Sequence, residues 1–130
     1  MKRYVVEEDS ARVGRWLAAG QAATARLTAV EVASALARRC REGAFPPAER
    51  DRALAALETD LSALRVVELS PPVVREAREL LVRHALRAGD AVQLASALLL
   101  RRELDVEVRF AAYDDRLKAA ARAEGLIVVP

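Results

Sequence analysis

Cysteine and histidine are almost missing from these 130 residues, with one of each, Cys40 and His84. A single thiol excludes an internal disulfide and makes a reducing cytoplasm the expected setting. A Cys–His nucleophile is disfavoured as well, because the two residues fall in different helical patterns and nothing in the sequence pairs them, so Cys40 reads as a filler. Long apolar runs are also missing. No stretch nears the roughly 18 apolar residues that span a bilayer, and no basic, apolar and small signal segment opens the chain. The expectation is a soluble protein with no membrane partner. Lysine is scarce, two against 19 arginines. Arginine favours forked contacts to carboxylate and phosphate, although a GC-rich genome gives the same bias. The net charge of only +2 argues against wrapping long nucleic acid by electrostatics alone. The cations do gather at Arg38, Arg39 and Arg41, which is either a solvated helix face or a contact for phosphate or an acidic partner segment.

What is present is a globular balance, 53% hydrophobic and 31% charged, in a chain long enough for one domain with a core and too short for two ordinary ones. Residues Tyr4 to Leu17 fit two short helices or one broken one, with Asp9 or Ser10 able to cap the second and Gly20 closing the pattern. Gln21 to Leu27 reads as a short strand. Thr28-Ala-Val-Glu31 then has the form of a capping box before the apolar-periodic VASALARRC, with Gly43 ending that helix. Pro46-Pro47 and Glu49 open another helix through about Leu64. Arg65 to Leu69 is β-branched and apolar, hence a strand, and Ser70-Pro71-Pro72 caps a helix to about Leu86. Val106 to Ala112 reads as a strand, Tyr113 to Leu117 turns into a short helix ended by Gly125, and Leu126 to Val129 is a last strand. Helices alternating with short apolar strands predict a parallel sheet covered on both faces.

The stretch LRAGDAVQLASALLL, Leu86 to Leu100, stands out because one carboxylate, Asp90, precedes an apolar helical run in which Leu94, Ala97, Leu98 and Arg101 recur at helical spacing. As a plain N-cap Asp90 would stabilise by roughly 1 kcal/mol and do no chemistry. The mouth of a helix is equally where anions and metal-holding carboxylates are well placed. In parallel sheets ligands sit outside the carboxyl ends of the strands. Three acids fall in that zone here: Glu31, Asp90 and Asp114. Each has a structural excuse, as capping-box member, N-cap and turn residue. Three carboxylates on one edge would repel one another unless a cation sat among them, and Mg²⁺ and Mn²⁺ are bound by carboxylates plus waters.

The segments LTAVEVASALARR, LRAGDAVQLASAL and VRFAAYDDRLKAAARAEGL together resemble the PIN-domain ribonucleases, most closely the VapC toxins of toxin–antitoxin pairs, over nearly the whole chain. The resemblance implies a three-layer α/β/α sandwich with a central parallel sheet. It also implies an acidic pocket holding Mg²⁺ or Mn²⁺ that cuts RNA phosphodiesters. Glu31 and Asp90 match metal-ligand positions of the family, and Asp114 matches the last acidic position, whose role ranges from ligand to water-positioner. Asp115 lies outside the site, and Gln93, where His is frequent, is expected to serve packing. A VapB-like antitoxin, a homodimer and RNA as substrate are implied by the same resemblance, with Arg38, Arg39 and Arg41 as nucleic-acid contacts. The family opens with a strand ending in the first catalytic Asp. The sequence here starts at the helix that follows, so the first strand and its carboxylate are expected to be missing and the sheet to lack its central member. The competing reading is therefore a catalytically silent PIN-like binding or scaffold module.

Overall fold

The computed structural model describes residues 22–129; the expected helices over 4–17 and the start of the first strand lie outside them. The described residues fall into two compact units that divide after Val66. In the first unit β1 (Ala23–Ala25) is followed by α1 (Leu27–Arg41), α2 (Pro47–Ser62) and β2 (Arg65–Val67), whose last residue opens the second unit. β1 and β2 form a two-stranded sheet, and the Arg65 N–H donates to the Ala22 carbonyl at 3.2 Å. Pro47 begins α2 because its missing N–H is one of those a first turn leaves without an intrahelical partner anyway. Leu36 on α1 and Leu57 and Leu61 on α2 are buried. Gly43 stops α1 with φ +84°, a conformation that favours glycine.

The capping box is not formed. α1 begins at Leu27 with Arg26 as its cap residue and no side-chain cap bond. Thr28 lies inside the helix and is buried, with its Oγ1 accepting a hydrogen bond from the Thr24 hydroxyl at 2.7 Å. Burial of that hydroxyl against the preceding strand overrides the local cap signal. Glu31 consequently sits beyond the first turn, exposed on α1.

The second unit is built on α3 (Pro71–Arg83) and α4 (Ala88–Leu104), followed by β3 (Arg109–Phe110), α5 (Asp115–Ala123) and β4 (Ile127–Val128). Ser70 caps α3 as expected, its hydroxyl accepting from the Val73 N–H at 3.5 Å. The core gathers Val73, Ala77 and Leu80 from α3, Ala91, Leu94, Ala95 and Leu98 from α4, Phe110, and Leu117, Ala120 and Ala121 from α5. Small residues on the facing helix surfaces let backbones approach closely, which the Ala-rich composition supplies. β3 and β4 pair in parallel, Arg109 opposite Ile127 and Phe110 opposite Val128. Both strands are shorter than the sequence suggests, because only these two positions find partners. Parallel pairing demands a crossover, and α5 provides it. Among the described residues no helix is long and apolar enough to cross a membrane.

Candidate acidic site

Asp90 is not the cap of α4. Arg87 holds that position with an extended backbone, and Asp90 is the third residue of the helix, in its first turn. There the carboxylate lies among N–H groups without intrahelical partners, at the positive end of the helix dipole. Behind it Ala91 and Leu94 are fully buried, so the backbone carrying Asp90 is anchored in the core. Its side chain is 24% exposed.

Asp114 comes from the loop between β3 and α5 and is the N-cap of α5. Its Oδ1 accepts the Leu117 N–H at 3.0 Å, while Leu117 itself is buried. The other oxygen, Oδ2, faces Arg87. One carboxylate is thus divided between a structural bond and an outward oxygen.

Asp90 and Asp114 line one pocket of roughly 350 Å³ together with Ala85, Leu86, Arg87 and Arg116. Arg87 stands between the two acids, its Nε 3.8 Å from Asp90 Oδ2 and its Nη2 3.8 Å from Asp114 Oδ2. These separations exceed hydrogen-bonding length, so the attraction is charge on charge. Among the described residues of the second unit, no third Asp, Glu, His or Cys joins the pair at metal-holding spacing. Mg²⁺ and Mn²⁺ take one or two carboxylates and complete their shell with water, so Asp90 and Asp114 are the residues of this pocket that could hold such an ion.

The other residues singled out from the sequence are placed as follows. Glu31 is on α1 in the first unit. Arg38, Arg39 and Arg41 form the exposed last turn of the same helix, where cations also complement the helix dipole. Asp115 is exposed at the start of α5 and does not line the pocket.

Sequence reasoning missed Arg87, although its place three residues before Asp90 at a helix start was a usable signal. It also missed an ion cluster elsewhere in the second unit. Glu124, just after α5, takes both Arg83 Nε and Nη2 at 3.1 Å and lies 2.7 Å from His84 Nε2. The hydrogen bond from His84, aided by Arg83, holds the Glu124 carboxyl below the usual carboxylate range. Arg101 adds a bond to the Glu124 carbonyl at 3.1 Å. The partners are some 40 residues apart in sequence, and no local pattern announces them.

The PIN domain family model matches residues 4–123. Ribonuclease VapC45 of Mycobacterium tuberculosis strain CDC 1551 / Oshkosh and Ribonuclease VapC49 of M. tuberculosis strain ATCC 25618 / H37Rv are each 38% identical over 120 residues. Each alignment covers 88% of this chain and 78% of the relative. A family match over most of the length and the helix-rich architecture with a parallel strand pair agree: this chain belongs to the PIN-domain family, whose fold is the three-layer α/β/α sandwich, as a VapC-like member.

Proposed function

We propose that this chain is a VapC-like endoribonuclease that hydrolyses RNA phosphodiesters with Mg²⁺ or Mn²⁺ held at the Asp90–Asp114 pocket. The observation that carries the reading is the pairing of those two carboxylates around a cation in one pocket. The choice of RNA is supported by the relatives, which are named ribonucleases. Asp90 and Asp114 Oδ2 would hold the ion, and Glu31 is assigned to the same chemistry on the family motif. When bound, the ion supplies charge neutralisation at the phosphodiester and a more acidic water.

The chain's own residues do the rest. Asp90 is held by the buried turn behind it. Asp114 keeps Oδ1 on the Leu117 N–H, which leaves Oδ2 as the oxygen that would face the ion. Arg116, which lines the pocket, can meet a phosphate oxygen with its fork of donors. Hydrolysis adds water across one P–O bond and leaves two RNA ends.

The same reading includes a single PIN domain over residues 1–130, supported by a family match that runs through both units. It also includes a cytoplasmic setting, a homodimer, a VapB-like antitoxin, and Arg38, Arg39 and Arg41 as contacts for RNA or for an acidic antitoxin segment.

The test is cleavage of structured RNA by the purified chain in Mn²⁺, with EDTA and with Asp90→Asn as controls. Asn keeps side-chain size and removes the charge. Cleavage that EDTA and Asp90→Asn both abolish is the expected result. A Mn²⁺-dependent rise in melting temperature without any cleavage would instead favour a silent binding module, and no rise at all would remove the metal site.

A further inference from the structure

Arg87 is 86% exposed, yet its guanidinium lies within ion-pair distance of two carboxylates. Confining a long, flexible side chain costs rotamer entropy, so something must draw it in. At 3.8 Å to each acid that something is charge alone. Two carboxylates lining one pocket repel each other, and a positive group between them relieves the repulsion. We propose that Arg87 is a built-in counter-ion of the acidic pair, standing where a divalent cation would bind and competing with it. It thereby sets the metal concentration at which the pocket loads.

This inference rests on the metal-site reading above. The competition runs in the metal's favour once enough is present. Exposed ion pairs are individually weak, whereas an ion of twice the charge can be drawn deeper between the carboxylates than a guanidinium fork. The geometry also predicts reversibility without any backbone change, because Arg87 lies just before α4 and its side chain can swing out while Asp90 stays anchored. Arg116 lines the same pocket and, among the described residues, is not ion-paired to either acid, which makes it the natural control.

The experiment is Mn²⁺ titration by isothermal calorimetry of the full chain without RNA, for wild type, Arg87→Gln and Arg116→Gln. The expected result is about three- to tenfold tighter Mn²⁺ binding by Arg87→Gln, the release of two exposed pairs. That gap should narrow as salt rises from about 0.05 to 0.5 M and screens the pairing, and Arg116→Gln should stay within about twofold of wild type. Equal or weaker binding by Arg87→Gln overturns the proposal. Equal tightening by both variants overturns it too, since pocket charge in general would then be responsible. No Mn²⁺ uptake by any of the three removes the metal reading and this inference together, whereas uptake that is the same in wild type and Arg87→Gln removes only this inference.

Discussion

On the proposed reading Asp114 does two jobs with two oxygens, and a pair of substitutions separates them. Replacing it by Ala deletes both. The lost cap bond from the Leu117 N–H, 3.0 Å long, should cost about 1 kcal/mol, within the roughly 0.5–2 kcal/mol range of such caps. For a chain of this size that corresponds to a fall in melting temperature of about 3–6 °C. Replacing it by Asn keeps an oxygen in the Oδ1 place, and Asn caps as well as Asp, so stability should change by no more than a few tenths of a kcal/mol. The charge facing Arg87 and the proposed metal is gone in both. The expectation is therefore two different melting temperatures and one shared loss of cleavage, of at least tenfold, read by thermal circular dichroism and an RNA cleavage assay on the same samples. Asp114→Asn melting as low as Asp114→Ala would refute the cap argument. Asp114→Asn cleaving like wild type would remove the residue from the chemistry.

Glu31→Gln should leave stability within about 0.5 kcal/mol, as for exposed substitutions generally, and abolish cleavage; retained activity would take Glu31 out of the site. Replacing Arg38, Arg39 and Arg41 together by Ala should weaken RNA binding and flatten its dependence on salt, by about one unit of slope for each phosphate no longer neutralised. An unchanged slope leaves the cluster as solvated surface. Glu124 has a pH signature. Its pKa is lowered in the folded state, first by the His84 hydrogen bond and then by Arg83, so its contribution is present above the ordinary value of 4.5 and is lost as pH falls through the depressed folded value. Glu124→Gln should thus melt lower than wild type at pH 7, with the difference shrinking below about pH 4.5; a difference that is constant down to pH 3 contradicts the ion-pair account.

Much of the second unit can be read from sequence because its signals are local. Ser70-Pro71-Pro72, the apolar spacing around Leu94 and Leu98, and Gly125 each act within a turn of the place they mark. The capping box at Thr28 failed for a tertiary reason, burial of the hydroxyl against Thr24, which no four-residue pattern contains. The strands came out short because strand length depends on how many positions find partners. Asp90 and Asp114 could be nominated singly, but their sharing of a pocket depends on how β3 delivers the loop before α5, and that is a property of the folded unit. The Glu124 cluster joins residues about 40 apart and has no sequence signature at all.

The contrast between Asp90, fixed by the fully buried Ala91 and Leu94, and the solvent-facing Arg87 also separates their clocks. Exposed side chains change rotamer in picoseconds to nanoseconds, whereas moving a packed helix takes microseconds or longer. On such a pocket the guanidinium exchanges in and out many times before the helix backbone that carries Asp90 shifts. At the proposed metal site, ion entry would then be governed by diffusion and dehydration of the ion rather than by opening of the protein.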